Sequence, residues 1–559
     1  MLAVFFGSML YIVRKIAKKQ EDADAYMTAG NRVGFGISAG SMTATWIWAS
    51  SMYASATSGY LYGVSGPIHY GLWGALMILF IYPFGRRIRA VAPKAHTLAE
   101  VMYARHGRSS QLMLAGSNVV GSVISLTSNL IAGGVLIALL TPFEFAHGVL
   151  AMAVGLLVYT VWSGFRASVL TDFVQVVAML GVVIVLIPAI FFIAGFPEAF
   201  SSGASNLTPQ QTNFFSSEAF LEQGAPYIAA VLAYAIGNQT IAQRLFAVRE
   251  DLIRRTFVTA TLGYGGTVIG MGMFGVMALY LGMEPLDGDP NNVIPQIAAT
   301  YLPTVLLLGF FVLIIGSLCS TGDSDLSALS SIAMADIYGQ NIVGKEKADP
   351  RVMLVVGRLT MVAATAVAVV FASMQLDILD LLVFVGALWG ALVFPVIASF
   401  YWEKVTNTAF TVSVLAAVTL FIPIRFELVD LGGPLGIGVD VLAIVGVGVI
   451  AGLMAFGFLG LRTGKVVGVV AAIVVTPFAF GAVHEYHVLS ASLIAYSVST
   501  LVCFLMSVKS GKSFDFDVVK RVTGNFDEKE ALARREDPCP SPDRNGARAQ
   551  PWQRGGERA

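Results

Sequence analysis

The stretch GSLCSTGDSDLSALSSIAMADIY, residues 316–338, decides how the sequence is interpreted. It follows the run VLLLGFFVLII at residues 305–315, which is typical of a membrane-spanning helix. Residues 316–330 then contain six Ser or Thr residues and two Asp residues. An Asp near the centre of a spanning helix costs roughly 2.5–3.5 kcal/mol on insertion scales. We therefore expect these oxygens to have a binding role.

The composition of the chain indicates a polytopic membrane protein. Of its 559 residues, 56% are hydrophobic and 13% are charged, and the mean hydropathy is +0.74. These values exclude an ordinary soluble enzyme. The sequence has no Walker A motif for ATP, and His484, Glu485 and His487 lack the spacing of the metalloprotease zinc motif. We expect no enzyme activity, no cofactor, no metal centre and no nucleic-acid partner.

Apolar runs predict fifteen membrane-spanning helices within a transmembrane domain over residues 1–508. Their predicted limits are 1–16, 34–59, 66–91, 111–140, 147–164, 168–195, 226–246, 256–283, 303–337, 352–373, 377–401, 408–424, 441–460, 466–484 and 488–508. Residues 509–559 are charged and rich in Pro and Gly, which predicts a disordered tail.

The distribution of basic residues predicts the orientation of these helices. If the N-terminus lies outside, the inside loops carry nearly all the basic loop residues, Arg244 and Arg249 among them. The long outside loops 196–225 and 284–302 carry no Lys or Arg. This asymmetry follows the positive-inside rule. It predicts a multi-pass protein of the cell (plasma or inner) membrane, with its N-terminus outside and its C-terminus in the cytoplasm.

The polar side chains of the opening stretch form one face of a helix. At 100° per residue they fall within an arc of roughly 120°, and they are Ser317, Ser320, Thr321, Ser324, Ser327 and Ser331. Asp323 and Asp325 flank this arc on its two sides. Such a face suits either a cation stripped of water or hydrogen bonds between membrane helices.

Two other segments are too polar for a continuous lipid-facing helix. Residues 38–67 are rich in Gly, Ser, Thr and aromatic residues, and we expect this helix to unwind midway. In AYAIGNQTIAQR, residues 233–244, Gly237 is followed by amide side chains, which predicts a local break. Unwound segments expose carbonyl groups and helix N-termini, as in transporters built from inverted repeats.

Four motifs, in order, resemble those of the sodium:solute symporter family. They are DAYMTAGNRVGFGISAGSMTATWIWASSMYASATSGYLYG at 24–63, YTVWSGFRASVLTDFVQ at 159–175, GNQTIAQRLFAV at 237–248 and CSTGDSDLSALSSIAMADIY at 319–338. The segments TWIWASS (45–51) and APKAHTLAEVMYARHG (92–107) also resemble the branch that transports urea and polyamines. The resemblance implies an all-α integral membrane fold with a five-plus-five inverted repeat, like that of amino-acid transporters. The repeats would cover 34–195 and 226–401.

The resemblance also implies a sodium site between two helices. Its ligands would be the carbonyls of Ala44 and Ile47 and the carbonyl and hydroxyl oxygens of Ser317, Ser320 and Thr321. Sodium would be the coupling ion.

The solute site is expected near the membrane midplane, on three helices that carry aromatic and amide side chains but no mid-helix Lys or Arg. The candidate residues are Trp46, Trp48, Asn129, Tyr234, Asn238 and Gln239. They suit a neutral planar amide or a zwitterion, and for the aromatic residues ordinary packing is the alternative. Trp46 stands where the proline branch has an acid, and Asn238 stands where the urea branch has one. The second difference leaves open whether urea itself is the solute.

Two acidic residues are expected to line the ion pathway. Asp172 lies in the TDFVQ match, and Asp323 flanks the polar face of the opening stretch. For Asp172 we expect a role in ion release or helix docking. A simple favourable charge at a helix N-terminus is the alternative.

The sequence as a whole predicts a secondary active symporter. Inward sodium movement would drive uptake of a small polar organic solute, urea-like or amino-acid-like, by alternating access across the lipid bilayer. The alternatives are a membrane sensor with a symporter-like domain, a proton-coupled symporter and a passive channel.

Overall fold

The computed structural model describes residues 2–16, 23–31, 33–344, 347–511 and 513–523. Within these ranges the chain is helical apart from its connecting loops and one β-bridge between Val33 and Val248. The fold class predicted from the sequence, an all-α protein with many apolar helices, is confirmed.

The α-helices are, in chain order, α1 (Leu2–Ile16), α2 (Ala23–Thr28), α3 (Phe35–Trp46), α4 (Ala49–Tyr62), α5 (Ser65–Val91), α6 (Leu98–His106), α7 (Arg108–Leu140), α8 (Phe145–Ile193), α9 (Glu198–Gly203), α10 (Pro209–Thr212), α11 (Ser217–Ala219), α12 (Ala225–Gly237), α13 (Gln239–Ala247), α14 (Ile253–Tyr280), α15 (Val293–Tyr301), α16 (Thr304–Ser331), α17 (Pro350–Ala372), α18 (Ile378–Tyr401), α19 (Asn407–Arg425), α20 (Pro434–Leu459), α21 (Leu461–Ala479), α22 (His487–Val508) and α23 (Asp517–Val522). A π-helical segment, Ile332–Ile342, continues α16.

Twelve helical segments of the described chain are long and apolar enough to cross a membrane. The bent pair Ser217–Tyr234 and Gln239–Ala247 makes a thirteenth. The two other predicted spans correspond to α1 and to the pair α3 and α4. With 15 residues, α1 is shorter than the roughly 20 residues that a span needs. The pair α3 and α4 is rich in Gly, Ser and Thr, so length and hydropathy alone do not identify it as a span.

Both predicted helix breaks are present. Between α3 and α4, Ile47 (φ −80°, ψ 85°) and Trp48 (φ −82°, ψ 146°) leave the helical conformation. Between α12 and α13, Asn238 (φ −86°, ψ 129°) does the same, and the two parts of this span are bent by 51°. Each break lies in the first helix of a predicted repeat, 34–195 or 226–401. Five spans in each predicted repeat is the number that the predicted inverted repeat requires.

The longest helix, α8, contains two predicted spans. It runs through 49 residues and is kinked at Gly164, whose φ of 57° and ψ of 172° are accessible mainly to glycine. This position separates the predicted spans 147–164 and 168–195.

The polar part of α16 lies in the centre of the molecule. Every residue from Leu313 to Ser331 is buried, and the helix packs against α3, α7, α8 and α17. The helices α20 and α21, by contrast, pack against each other and leave much of their apolar surface exposed. The oxygen-rich stretch is therefore enclosed by other helices.

The segment 513–523 packs against α5 and α6, unlike the disordered tail that composition predicts from residue 509. The guanidinium of Arg105 lies 4.1 Å from the ring centroid of Phe514, and that of Arg87 lies 5.3 Å from the ring of Phe516. Burial lowers the pKa of Arg105 to about 10, so this residue stays charged at neutral pH. Cation–π contacts therefore hold this part of the tail. The predicted tail from residue 524 onward lies outside the described residues.

Candidate functional site

The end of α3 contacts the middle of α16 at Ala44. The hydroxyl of Ser320 donates a hydrogen bond to the carbonyl of Ala44 at 3.0 Å and also lies 3.1 Å from the carbonyl of Ser317. Three of the five predicted sodium ligands are thus brought together. All of them are buried.

The other two predicted ligands, Thr321 and Ile47, are close in sequence to Ser320 and Ala44. Each has an oxygen without a hydrogen-bond donor among the described residues. The hydroxyl of Thr321 is buried and has no hydrogen-bond partner among the described residues. No described backbone amide donates to the carbonyl of Ile47. A buried polar group without a partner costs about 1–3 kcal/mol. Two buried oxygens without a partner, within three residues of the Ser320–Ala44 contact along α16 and along the α3 break, are therefore suited to a cation.

The break in the helix explains why carbonyl groups are available here. The last carbonyls of an α-helix have no intrahelical donor. The indole of Trp48 satisfies one of them, since its N–H donates to the carbonyl of Thr45 at 2.6 Å. The carbonyl of Ala44 accepts its hydrogen bond from Ser320 on α16.

A cavity of about 30 Å³ lies beside the same break. Its lining includes Trp46, Trp48 and Tyr234 of the predicted solute contacts, together with Ser51, Tyr70, Tyr227, Ala230, Val231, Tyr264 and Leu382. The rings of Trp48 and Tyr234 are 4.9 Å apart, and those of Trp46 and Tyr234 are 5.5 Å apart. Among the described residues, the lining has no charged side chain. About one water molecule fits such a volume, so side chains must move to admit a solute.

Sequence reasoning missed three tyrosines of this cavity. Tyr70 stacks on Tyr227 with ring centroids 4.2 Å apart, and the hydroxyl of Tyr227 lies 3.0 Å from that of Tyr264. One signal was available, because Tyr227 precedes Tyr234 by seven residues and both lie on the same face of α12. The other two tyrosines come from helices whose neighbours the sequence does not specify.

The three predicted amide contacts do not line this cavity. Asn129 donates to the carbonyl of Ser125 at 2.8 Å. Asn238 caps α13, because its side-chain oxygen accepts from the amide of Thr240 at 2.6 Å. Gln239 spans two backbone groups of the segment around α6, accepting from the amide of Leu98 at 2.9 Å and donating to the carbonyl of His96 at 3.0 Å. Their contacts serve helix ends and helix packing.

An amide on α7 bridges the second helix break. The side chain of Asn118 donates to the carbonyl of Gly237 at 2.8 Å and accepts from the amide of Gln239 at 2.6 Å. One side chain thus satisfies a backbone group on each side of the break at Asn238. Asn118 was predicted only as part of a polar face on residues 111–140.

We expect Asn118→Leu to destabilise the protein by about 2–6 kcal/mol, because two buried backbone groups lose their partners at about 1–3 kcal/mol each. Asn118→Asp keeps the acceptor for Gln239 and should have a smaller effect. The measurement is the loss of monodisperse protein on heating in detergent. Ser117→Leu is a control on the same helix, since this half-buried side chain bonds only within α7. Equal stability of Asn118→Leu and the control would contradict the bridging role.

The predicted ion-pathway residue Asp172 is ion-paired with Arg244 at 2.8 Å, and both side chains are buried. Arg244 also donates to Ser41 at 2.9 Å and to Ser324 at 2.5 Å. The sequence analysis counted Arg244 both within the predicted span 226–246 and among the basic loop residues, and its position in α13 shows that the loop assignment is wrong. The helix α13 extends to Ala247 and brings this guanidinium among α3, α8 and α16, where Asp172 compensates its charge.

The two acids that flank the polar face of α16 have different partners. Asp323 accepts from the hydroxyl of Ser168 at 2.7 Å and from that of Tyr159 at 3.3 Å, both on α8. Asp325 accepts from the hydroxyl of Ser125 on α7 at 2.6 Å. Each carboxylate thus joins α16 to a neighbouring helix, and the hydroxyl face lies between them.

Comparison with known proteins finds relatives that are named as transporters. The chain is 23% identical to the probable urea active transporter 1 of Schizosaccharomyces pombe (strain 972 / ATCC 24843) over 447 residues, which cover 73% of this chain and 66% of the relative. It is 23% identical to the urea-proton symporter DUR3 of Oryza sativa subsp. japonica over 72% of this chain and 60% of that protein. The chain thus spans less than two thirds of the length of these relatives.

Two further similarities concern the core. The chain is 26% identical to the sodium/pantothenate symporter of Escherichia coli (strain K12) over 426 residues, 72% of this chain and 84% of the relative. The solved structure of a Na+-coupled sialic acid symporter superposes with a TM-score of 0.61 and 17% identity, covering 85% of this chain and 97% of the other, which shows a shared fold. The model of the sodium:solute symporter family matches residues 26–415. With its two broken helices and the oxygen-rich α16 between them, the chain belongs to the sodium:solute symporter family.

Proposed function

We propose that this protein is a secondary active symporter that couples inward sodium movement to uptake of a small polar organic solute. One observation carries the proposal: the break after Trp46 borders an aromatic cavity and also contacts the buried hydroxyl of Ser320, whose neighbour in sequence, Thr321, has a buried hydroxyl without a partner among the described residues. A cation at the break would fix the backbone that also positions Trp46 and Trp48. Binding of ion and solute would then be linked, as symport requires.

The chemistry of the oxygens favours sodium as the coupling ion. The five candidate ligands offer neutral carbonyl and hydroxyl oxygens, which suit a hard cation and cannot hold a transferable proton at neutral pH. Proton coupling is the second candidate, because Asp172, Asp323 and Asp325 are buried on helices next to the site. One relative is named as a proton symporter and another as a sodium symporter. A carboxylate that carried the coupling proton would make uptake independent of sodium.

The driving force is sufficient for accumulation. One charge crossing about 100 mV supplies about 2.3 kcal/mol, and a tenfold sodium gradient adds about 1.4 kcal/mol. Together these sustain roughly 500-fold accumulation of a neutral solute.

The lining of the cavity supports a neutral planar solute. Its aromatic rings offer stacking surfaces, and Ser51 and the tyrosine hydroxyls offer hydrogen bonds, without a Lys or Arg to pair with a carboxylate. A small amide of the urea kind fits this chemistry better than an organic acid such as pantothenate. Because the cavity is small, entry requires the opening of one side, in line with alternating access.

A counter-transport screen in proteoliposomes tests the solute class. Vesicles loaded with urea, proline, acetate or putrescine are assayed for exchange, and we expect urea to be exchanged and acetate not. Trp48→Ala should lower exchange at least tenfold, because it removes a large aromatic contact surface. Trp162→Ala is the matched control, since this side chain is 62% exposed on α8. Exchange of acetate, or equal exchange by the two variants, would contradict the assignment of the cavity.

A further inference from the structure

A crevice of about 410 Å³ lies between α5 and α20, away from the sites described above. Its walls are formed by Tyr82, Pro83, Arg86, Arg87, Ala90 and Phe458, with Gly457 at the closest approach. A Cβ atom at Gly457 would lie 2.8 Å from Pro83, so the helices touch there. The volume is in the range of small-ligand sites, about 300–1,000 Å³.

The crevice is positively charged and one of its charges is held in place. Two guanidinium groups line it, and its lining has no carboxylate among the described residues. The Nε of Arg87 donates to the carbonyl of Phe400 at 3.1 Å, and its guanidinium lies over the rings of Tyr401 and Phe516, 5.6 and 5.3 Å from their centroids. Guanidinium groups bind phosphate oxygens in a planar, bidentate geometry. Arg86 is exposed and free to turn toward such a ligand.

The surroundings of the crevice are those of a membrane surface. Both α5 and α20 are apolar enough to span a membrane, and the two arginines lie in the last two turns of α5. Beside them, Phe458 and Leu459 at the end of α20 are 48% and 66% exposed. Basic residues at the end of a span lie at the depth of the lipid headgroups. Apolar side chains at this depth would contact the acyl chains of a lipid. A free anion has no acyl chain and would leave these side chains without a contact.

We propose that this crevice binds the phosphate headgroup of an anionic phospholipid. Arg86 and Arg87 pair with the phosphate, and the exposed end of α20 contacts the acyl chains. Basic pockets between transmembrane helices are a known form of lipid recognition. Since Arg87 also stacks on Phe516, the lipid and the segment 513–523 share one residue.

Native mass spectrometry of the purified full chain tests the proposal. Wild-type protein and Arg86→Gln/Arg87→Gln are equilibrated with phosphatidylglycerol or phosphatidylcholine in mixed micelles. We expect the double variant to retain at least tenfold less phosphatidylglycerol than wild type, with equal and low retention of phosphatidylcholine. Arg86→Gln alone removes no hydrogen bond or ion pair within the described part of the chain, and it should lower retention by a smaller factor.

The matched control is Arg254→Gln/Arg255→Gln, which removes the same charge from exposed positions on α14. Equal lipid loss in this control, or full retention in Arg86→Gln/Arg87→Gln, would overturn the proposal. Millimolar inorganic phosphate is added in a further arm. Displacement of phosphatidylglycerol by free phosphate at this concentration would make the site one for a soluble anion and would also overturn it.

Discussion

Replacing both Ser320 and Thr321 by Ala is expected to raise the sodium concentration needed for half-maximal stabilisation of the purified protein by at least tenfold. A hydrogen bond or contact to a charged partner contributes about 1.5–3 kcal/mol, and 1.4 kcal/mol is about a factor of ten in affinity. The readout is the melting temperature in detergent as a function of sodium, because a ligand that binds only the folded state stabilises it by mass action. This readout needs no knowledge of the solute.

The control variant is Ser327→Ala/Ser330→Ala, which removes two buried hydroxyls from the same helix further along its length. It should keep the wild-type response to sodium, and potassium should replace sodium in neither protein. An unchanged sodium response in a well-folded Ser320→Ala/Thr321→Ala variant would show that these two hydroxyls do not bind sodium. Because linkage between two ligands is reciprocal, the same variant should also bind solute more weakly.

Replacing Arg244 by Met is expected to destabilise the protein by about 3–5 kcal/mol, the usual cost of leaving one partner of a buried ion pair without the other. Asp172 would lose the guanidinium 2.8 Å away while remaining fully buried. In Arg244→Met/Asp172→Asn both charges are gone, and we expect part of the stability to return. The measurement is denaturant-induced unfolding in detergent micelles.

The chain provides a matched control for this ion pair. Arg249 and Asp251 form an ion pair of the same length, 2.8 Å, but with both side chains more than half exposed. Exposed pairs contribute about 0–1 kcal/mol, so Arg249→Met should change stability little. If Arg244→Met were no less stable than Arg249→Met, the buried pair would have no role in docking α13 onto α8. If Asp172→Asn alone altered the sodium response, the carboxylate would also act in ion release.

The parts of the fold that follow from local composition were predictable. The break near Ile47 lies in a run of Gly, Ser and Thr that gains little from facing lipid, and the break at Asn238 lies where Gly is followed by a capping amide. The hydroxyl face of α16 follows from helical periodicity alone. In each case the signal lies within about ten residues of the feature.

The parts that depend on distant partners were not predictable. Arg244 was counted as a loop charge because the positive-inside rule counts basic residues without considering their ion-pair partners. Its partner, Asp172, lies 72 positions earlier in the sequence. Gln239 was taken for a solute contact, since the backbone groups of His96 and Leu98 that engage it belong to a segment more than 140 residues away. A side-chain amide inside a membrane helix can find its hydrogen-bond partner on a backbone group, on another side chain or on a ligand. The fold determines which of these partners it has.

Ion-driven uptake of the exchanged solute into proteoliposomes tests sodium coupling most directly. An inward sodium gradient is imposed at equal pH on both sides, and a proton gradient is imposed in a parallel sample without sodium. We expect the sodium gradient to drive accumulation above the equilibrium level in wild type, with at least tenfold more sodium required in Ser320→Ala/Thr321→Ala. Accumulation driven by the proton gradient alone, with no response to sodium, would contradict sodium coupling.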